Sequence, residues 1–356
     1  MLYYDDVIMR FGGVCIVNEK KFTAIADIAA AAGVSPATVT RVVHGQRYVS
    51  DEKRAAVERA IDELGYVPNK VARGLRNKRT NLIGHVLPLS SENPFFARIA
   101  MAVEEAASRA GYNVLTVVTQ DSPEKERAMI ADLCGMMVEA IIFTAQTACD
   151  TAFISQVASR GTLVVMIERP RDIPEIDIIL MDSYEGSRMA AEHIARRGHR
   201  RIGYIGAELS RGAVEHSRFN GFVSSLAAHD IACEEQWIRR TPDYFAKYGY
   251  KAMEALLDAE QRPSCAFITS DLLACGALQC LYSRGLRVPD DMSIVGYDNT
   301  LSALSAPPLT TIELQPAEVG AAAIDMVLER ALGRRTGAKS VTLSPILIDR
   351  GSVRQL

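Results

Sequence analysis

The feature that most constrains the fold of this chain is an alternation of short apolar runs with amphipathic segments, which starts at Asn81. Short apolar runs are typical of buried strands, and apolar residues three or four apart are typical of helices. Strand and helix in alternation predict parallel sheets with helices on both faces, and the stretch is long enough for two sheets. The predicted strands are Leu82–Leu87, Tyr112–Val118, Ala140–Thr144, Leu163–Ile167, Ile178–Met181, Ile202–Ile205, Ala266–Thr269 and Ser293–Tyr297.

The amphipathic segments lie between and after these runs. In sheets of this type, ligands bind at the carboxyl ends of the strands. Functional side chains of this part of the chain are therefore expected directly after the apolar runs. The predicted helices are Phe96–Ala110, Pro123–Met137, Thr151–Arg160, Tyr184–Arg197, Val214–His229, Tyr248–Asp258, Leu272–Arg284 and Pro316–Leu332.

The residues before Asn81 show a different pattern, of three short helices. The chain has 356 residues, which suits two or three domains better than one core. The first helical pattern runs from Thr23, a predicted N-cap, to Ala32, and Gly33 ends it. The second begins at Ser35-Pro36, a strong helix start, and the third follows Ser50. Two short helices joined by a glycine turn form a helix-turn-helix unit, which predicts DNA binding.

In such a unit the second helix lies in the major groove, and its first residues touch the base edges. Pro36, Ala37, Thr38 and Arg41 occupy these positions here. The methyl groups of Ala37 and Thr38 suit thymine, and Arg41 suits a bidentate contact with guanine. Ser35 and Thr40 suit phosphate contacts. The alternative interpretation is a three-helix bundle that does not bind DNA.

A basic segment follows the third helix. It runs from Asn69 to Asn77 and has helical composition, but it is too short to be a stable helix alone. Leu75 is apolar among cationic residues, and an apolar wedge of this kind kinks DNA from the minor groove. The alternative is that Leu75 packs on the body of the protein, and the sequence leaves both interpretations open.

The charge is unevenly distributed along the chain. The net charge is −3 overall, but it is +4 from Phe22 to Thr80 and −7 from Asn81 to the end. A basic head on an acidic body concentrates positive potential where a polyanion would dock. Chance clustering of surface charge is the alternative.

Cysteine usage and hydropathy indicate a cytoplasmic protein. The seven cysteines are scattered and form no Cys-x-x-Cys pair, which is typical of reduced, buried thiols. The sequence has no apolar stretch long enough for a transmembrane helix, and residues 1–20 have no apolar signal-peptide region. We expect residues 1–20 to be an unstructured extension, and the alternative is a misassigned start, with Met9 as another possible initiator.

Several motifs together resemble the LacI/GalR family of bacterial repressors. They include Ala32-Gly33-Val34-Ser35-Pro36-Ala37-Thr38-Val39, Glu63-Leu64-Gly65-Tyr66-Val67-Pro68-Asn69 and Ala72-Arg73-Gly74-Leu75-Arg76, and the match continues to Leu347-Ile348-Asp349-Arg350-Gly351-Ser352. The resemblance covers nearly everything after the first 20 residues. One departure is Thr40, where the family usually has serine.

The resemblance implies an all-α helix-turn-helix head over residues 21–68 and a hinge helix within the linker 69–80. It also implies an α/β body over 81–356, with two lobes and two parallel sheets like the type I periplasmic binding proteins. In a homodimer, two hinges would pair on a near-palindromic operator, with Leu75 inserted into the DNA. The predicted DNA-binding residues are Ser35, Pro36, Ala37, Thr38, Thr40, Arg41, His44, Asn69, Arg73 and Leu75.

The resemblance also implies an effector site between the lobes. A carboxylate beside a guanidinium can chelate vicinal hydroxyls, and aromatic faces suit a sugar ring. We therefore expect a sugar, sugar acid or polyol as the effector. The predicted effector-binding residues are Asn93, Phe95, Phe96, Glu168, Arg169, Arg218, Tyr244 and Asp298.

Each of these residues also has a structural interpretation. Phe95 and Phe96 would suit a hydrophobic core, Glu168 and Arg169 a surface ion pair, and Asp298 a helix cap. We expect Asp271 to cap the helix that follows it. The shared position of the effector residues after strands favours a pocket.

The sequence favours a regulator over other classes of protein. It has no phosphate-binding glycine motif and no nucleophile motif, which argues against an enzyme. His193 and His199 lack a third ligand at useful spacing, so neither a metal nor a cofactor is expected. A transport-type solute-binding protein would share the body but lack the head. The prediction is a cytoplasmic, effector-controlled transcription regulator, a repressor rather than an activator, without membrane contact.

Overall fold

A computed structural model describes residues 9–11, 14–16, 23–43, 45, 48–66, 79–88, 93–120, 122–144, 151–168 and 173–356. The chain divides into two compact units, Met1–Arg79 and Thr80–Leu356, called the head and the body below. Five of the predicted contact residues lie outside the described residues: His44, Asn69, Arg73, Leu75 and Arg169.

The extension contains a short pair of strands that the sequence did not predict. β1 (Met9–Phe11) pairs with β2 (Val14–Ile16) in antiparallel register, with Phe11 opposite Val14. Val14 and Ile16 are β-branched residues, which favour extended backbone. The other residues of the extension lie outside the described part of the chain.

The head contains three helices: α1 (Ile25–Ala32), α2 (Pro36–Val43) and α3 (Asp51–Leu64). Gly33 ends α1 in the left-handed conformation, with φ 64°. The predicted N-cap role of Thr23 is wrong, because its hydroxyl donates to the backbone oxygen of Leu64 and Ala24 is the N-cap. The helices enclose a small core of Ile28, Ala29, Val39, Val42, Val57 and Ala60.

The body contains two six-stranded sheets, as the alternating pattern predicts. The sheet of the first lobe, called the N-lobe, has the order β13-β7-β6-β5-β3-β4, and all its pairs are parallel. Its strands are β3 (Leu82–Leu87), β4 (Asn113–Val118), β5 (Ala140–Thr144), β6 (Leu163–Ile167), β7 (Asp177–Met181) and β13 (Ser340–Leu343).

The sheet of the second lobe, called the C-lobe, has the order β14-β12-β11-β10-β8-β9. Its pairs are parallel except that β14 runs antiparallel to β12. Its strands are β8 (Ile202–Ala207), β9 (Ile238–Thr241), β10 (Cys265–Ile268), β11 (Ser293–Tyr297), β12 (Thr310–Glu313) and β14 (Ile346–Ile348).

Helices of the N-lobe are α4 (Pro94–Arg109), α5 (Pro123–Gly135), α6 (Thr151–Ser159) and α11 (Pro316–Ala331). Those of the C-lobe are α7 (Ser183–Arg196), α8 (Ala213–Ala228), α9 (Ala246–Leu257) and α10 (Asp271–Ser283). α11 packs against α4, where a Cβ on Gly320 would lie 2.4 Å from the backbone of Ala102. Only glycine therefore permits this approach.

The chain passes between the lobes where β7 leads into α7, where β12 leads into α11 and where β13 leads into β14. These passages bring the carboxyl ends of strands from both lobes towards each other, so Thr144 at the end of β5, Glu168 after β6 and Asp298 after β11 line one cavity. Among the helices described, none is long and apolar enough to cross a membrane.

Candidate DNA-reading helix and effector pocket

The sequence at the start of α2 fixes where the helix begins. The backbone N–H of Thr38 donates to Ser35 Oγ at 3.2 Å, and the two side-chain oxygens lie 2.9 Å apart. Pro36 occupies the first helical position, where its missing N–H costs nothing. Ser35 therefore caps the helix as predicted.

The predicted DNA-reading residues lie on the accessible side of α2. Val39 and Val42 are buried in the head core, whereas Pro36, Ala37 and Arg41 are exposed. Thr38 and Thr40 are half-buried, and the hydroxyl of Thr40 donates to the backbone oxygen of Pro36 at 2.9 Å. The spacing of the buried valines thus turns the other face of α2 towards solvent, where a partner can contact it.

The head also exposes an aromatic residue that sequence reasoning missed. Tyr48, between α2 and α3, is 94% exposed, and it is the most exposed large hydrophobic residue among those described. A tyrosine hydroxyl can donate a hydrogen bond to a phosphate group. Its position in a polar loop gave no periodic signal.

The body encloses a cavity between the two lobes. It contains about 500 Å³ of space between its lining atoms, including space open to solvent. It brings together every described residue of the predicted effector site, and adds three. Its lining residues are Asn93, Phe95, Phe96, Thr144, Glu168, Met181, Val214, Arg218, Tyr244 and Asp298.

The three additional residues differ in whether the sequence could have predicted them as ligand contacts. Thr144 is the last residue of β5, at the carboxyl end of a strand, where ligands bind in sheets of this type. Met181 ends β7, and Val214 lies in the first turn of α8. Both are apolar, so their type gave no sign of a binding role.

Asn93, Phe95 and Phe96 enter the cavity from the start of α4. Asn93 caps this helix, and its side-chain oxygen accepts the backbone N–H of Phe95 at 3.0 Å. The rings of Phe95 and Phe96 pack edge to face, with centroids 5.6 Å apart. Both rings also belong to the hydrophobic core, so they line the cavity and support the sheet. Phe95 and Phe96 are therefore both core residues and residues that line the cavity.

Arg218 is the buried cation of the cavity. One guanidinium nitrogen donates to the backbone oxygen of Thr269 at 3.1 Å, and another lies 3.9 Å from the Asp298 carboxylate. The guanidinium stacks over the ring of Tyr297 at 4.3 Å. Its Nε has no hydrogen-bond partner among the described residues, so the guanidinium keeps a donor for a further group.

Tyr244 connects Arg218 to a second carboxylate. Its hydroxyl donates to Glu215 Oε1 at 2.8 Å and accepts from the Arg218 guanidinium at 3.4 Å. Tyr244 is buried rather than lying over an open mouth, so it forms part of the cavity wall. Glu215 did not stand out in the sequence, because a glutamate in the first turn of a helix is common.

Glu168 and Asp298 follow strands β6 and β11, and both have backbone conformations unusual for their type. Their φ values are 61° and 91°, in the left-handed region. The backbone N–H of Glu168 donates to Ile179 at 2.8 Å, and its carboxylate accepts the N–H of Met181. Such conformations persist where the surroundings hold them, and they cluster at binding sites.

The two carboxyls share an electrostatic property. Burial raises the pKa of Glu168 to about 7, although the Met181 N–H and the Arg218 charge oppose this. Burial also raises the pKa of Asp298 to about 7, again against the Arg218 charge. Both groups therefore exchange protons near neutral pH, and each can donate or accept a hydrogen bond there.

The expected cap role of Asp271 is wrong. Ser270 caps α10, since its hydroxyl accepts the N–H of Leu272 at 3.3 Å. The Asp271 carboxylate instead accepts backbone N–H groups of the loop that follows β11, including those of Thr300 at 2.7 Å and Ser302 at 2.9 Å. Asp271 thus anchors the loop that carries Asp298.

The cavity combines aromatic faces, one buried cation and several groups that both donate and accept hydrogen bonds. This set suits a small ligand with hydroxyl groups on a ring. The described residues contain no group of three or more His, Cys, Asp or Glu that could hold a metal ion.

Comparison with known proteins identifies the family. A model of the bacterial regulatory proteins of the lacI family matches residues 24–69, and a model of the periplasmic binding protein-like domain matches residues 191–353. The HTH-type transcriptional repressor PurR of Mannheimia succiniciproducens is 35% identical over 334 residues, which cover 93% of this chain and 99% of that protein. The chain belongs to the LacI family of bacterial transcription regulators.

Other LacI-family members resemble it over nearly its whole length. PurR of Edwardsiella ictaluri is 36% identical, with 92% of this chain and 96% of that protein covered. The solved Lac repressor dimer bound to operator and the anti-inducer ONPF superposes with a TM-score of 0.81 at 28% identity, covering 94% and 100% of the two chains. A complex of the regulator CelR with cellobiose gives 0.68 at 30% identity, covering 93% and 99%. The chain is therefore a DNA-binding transcription regulator with a two-lobed effector domain.

Proposed function

We propose that this protein is a homodimeric repressor whose affinity for a near-palindromic operator is controlled by a small polar effector bound between the lobes. The observation that carries the effector part is the buried Arg218, held between Asp298 and the Tyr244–Glu215 pair in a cavity with aromatic walls. A buried charged network is costly unless it is paired, so such a network in a cleft favours ligand recognition. A regulator of this kind works where the chromosome is, in the cytoplasm.

The proposed DNA contacts are the exposed residues of α2. Ala37 and Thr38 would contact thymine methyl groups, and Arg41 would pair with guanine in the major groove. Pro36 would lie beside them at the base edges. Ser35, at the helix start, and Thr40, about one turn further along, would contact phosphates. His44 and the hinge residues Asn69, Arg73 and Leu75 remain proposed contacts from the family resemblance, with Leu75 in the minor groove.

The proposed effector is a neutral polyhydroxylated molecule. Glu168 and Asp298 share a single guanidinium, so in their ionised forms they would repel a further carboxylate on the ligand. Neutral hydroxyl groups would instead pair with the carboxyls and with Arg218. This favours a sugar or polyol over the sugar acid that the sequence also allowed. Binding of a sugar by the similar regulator CelR supports this class.

A flat heterocycle such as a purine base is the second candidate effector. The edge-to-face pair of Phe95 and Phe96 presents aromatic surface to the cavity, and aromatic surface suits a planar ring. The gel-shift titration described below distinguishes between these two classes of effector. We propose binding without chemical turnover for either class.

The effector can control DNA binding only by its different affinity for two arrangements of the lobes. The test first selects operator sequences from a random DNA library with the full chain. A gel-shift titration then measures the affinity with and without cellobiose, other neutral sugars, polyols, sugar acids and purine bases. We expect a two-fold symmetric operator and an affinity that a neutral sugar or polyol changes. A selected operator whose binding no compound alters would contradict the effector switch, and failure to select any operator would contradict DNA reading.

A further inference from the structure

A buried histidine lies directly behind the effector pocket. His85, in the middle of β3, has no exposed surface, and its Nε2 lies 2.8 Å from Thr144 Oγ1. His85 pairs in register with Ile142 of β5, so Thr144, two residues further, projects from the same face of the sheet. Thr144 lines the pocket and His85 does not. The histidine therefore reaches the pocket only through the threonine.

The imidazole of His85 is neutral at physiological pH. Burial lowers its pKa to about 4, because the charged form loses its hydration in the interior. A neutral imidazole carries one N–H donor and one bare acceptor nitrogen. Which nitrogen carries the proton depends on the hydrogen bonds that each can make.

The surroundings of the ring decide its tautomer. Nδ1 is buried and has no hydrogen-bond partner among the described residues. A proton on Nδ1 would leave a buried donor unpaired, and buried unpaired N–H groups are rare in proteins. A proton on Nε2 instead forms the hydrogen bond to Thr144. The Nε2–H form is therefore favoured, and Thr144 Oγ1 accepts from it.

This arrangement leaves the hydrogen of the Thr144 hydroxyl for another acceptor. A threonine hydroxyl has one hydrogen, and the contact with His85 uses an oxygen lone pair. Within the described part of the chain, no acceptor takes this hydrogen. The pocket is the side of Thr144 on which an acceptor can be added.

We propose that His85 is a positioning residue that holds Thr144 as a hydrogen-bond donor towards the effector pocket, so that the effector must present an acceptor atom there. The acceptor is a ring, hydroxyl or carbonyl oxygen, or a ring nitrogen. The part that concerns the effector rests on the proposed function, whereas the tautomer of His85 and the role of Thr144 do not.

The first test needs no ligand. The full-length protein is labelled with ¹⁵N-histidine, and two-bond proton–nitrogen correlations report which ring nitrogen is protonated. The His85 signals are those absent from His85→Gln. We expect a protonated Nε2 and a bare Nδ1, unchanged between about pH 6 and pH 8. A proton on Nδ1, or an average of the two forms, would overturn the proposal.

Two matched variants test the contact itself. Thr144→Val removes the hydroxyl and is expected to shift the His85 Nε2 resonance. Thr116→Val makes the same change at an exposed residue of β4, which is opposite His85 in register but outside the pocket. It is expected to leave the resonance in place. Equal shifts in both variants would show that the histidine responds to the sheet rather than to Thr144.

The second test measures effector specificity by calorimetry, with cellobiose as the first probe and the neutral sugars of the gel-shift panel after it. Thr144→Ser keeps the donor and should bind like the wild type, whereas Thr144→Val should lose roughly tenfold in affinity, about the value of one hydrogen bond. His85→Leu should weaken binding and His85→Gln, whose amide can still donate to Thr144, should restore part of it. Equal affinity for the valine and serine variants would contradict the proposal. If no probe binds the wild type, the proposed effector class fails, and the nitrogen spectrum still decides the role of His85.

Discussion

The guanidinium of Arg98, on the N-lobe helix α4, donates to the backbone oxygen of Asn299 in the C-lobe at 2.7 Å. The same guanidinium lies 3.4 Å from the backbone oxygen of Asp298 and 3.3 Å from the Glu313 carboxylate. Asp298 lines the effector pocket, so this cross-lobe contact and the pocket share one loop. A ligand that moves this loop would therefore act directly on the contact between the lobes.

Replacing Arg98 with methionine should favour a more open arrangement of the lobes. The variant loses the hydrogen bonds to Asn299 and Asp298 and the ion pair with Glu313. Since Arg98 is partly exposed, the loss is worth about 1 kcal/mol rather than the full value of a charged hydrogen bond. Small-angle scattering should show a larger radius of gyration, and effector affinity should fall about fivefold.

Arg109→Met is the matched control for this prediction. Arg109 lies on the same helix, but its ion pair with Glu105 is exposed and stays within α4. This variant should scatter like the wild type. An Arg98→Met protein with unchanged scattering and unchanged effector affinity would show that the cross-lobe hydrogen bonds do not set the balance.

Replacing Arg218 with methionine should be far more damaging to the body. The change leaves Asp298 and Glu215 buried without their cation, and breaking a buried pair in this way costs about 3–5 kcal/mol. Urea unfolding should show this loss, and effector should no longer alter operator binding. The head does not contain Arg218, so operator binding without effector should persist where the protein folds.

Arg211→Met tests whether this loss is specific. Arg211 lies near the same tyrosine, 5.9 Å from the Tyr244 ring centroid, but pairs with Asp243 at the surface. Its removal should cost less than about 1 kcal/mol. Similar losses in both variants would mean that the buried network has no special role.

The stability of the body should depend on pH through Glu168 and Asp298. Burial raises the pKa of each to about 7 in the folded protein, whereas unfolded carboxyls ionise at about pH 4. Between these values the folded state holds protons that the unfolded chain has released. This contribution to the free energy of unfolding is full below about pH 4 and is lost as pH rises to about 7.

Glu168→Gln isolates this effect, because glutamine resembles the protonated side chain at every pH. Urea unfolding at about pH 5 and about pH 8 should show a smaller loss of stability in this variant than in the wild type. Glu105→Gln, at an exposed carboxyl of α4, should keep the wild-type dependence. An equal pH dependence of the free energy of unfolding in Glu168→Gln and the wild type would show that Glu168 is not the group responsible.

Arg41→Met should weaken DNA binding and relax base preference at one position of each half-site. A bidentate arginine–guanine contact is worth about 1–3 kcal/mol, so affinity for the selected operator should fall roughly tenfold or more. Lys53→Met removes an exposed cation from α3 instead. Its effect should be smaller and should not depend on the base at that position. An operator preference unaltered by Arg41→Met would rule out its base contact.

Local patterns in the sequence located most of the elements. Every predicted strand and helix of the body is present, with bounds within two residues of those predicted. Four strands of the body were not predicted: β9, β12, β13 and β14. β9 reads Ile-Arg-Arg-Thr and β13 reads Ser-Val-Thr-Leu, so neither forms an apolar run. β9 and β13 each pair with a neighbouring strand of a sheet. This tertiary pairing, rather than their own composition, makes them strands.

The roles of individual polar residues were less predictable. A carboxylate at the start of a helix suggests a cap, yet Asp271 holds the loop after β11, because that loop lies within its reach only in the folded C-lobe. His85 gave no signal at all, since a histidine in an apolar run has the same sequence pattern whether or not a hydroxyl lies opposite. Both roles depend on residues distant in the chain.

The sequence by itself determined the alternation of strands and helices, the capped helix that starts at Ser35, and the set of residues that follow the strands. These are local properties, set by side-chain periodicity and by the backbone preferences of serine, proline and glycine. Only the tertiary structure decided that Arg218 would be enclosed by Asp298, Tyr244 and Glu215, and that Thr144 would face His85. The physical reason is that burial and hydrogen-bond geometry arise when separate strands and helices pack together, so no single segment of the chain encodes them.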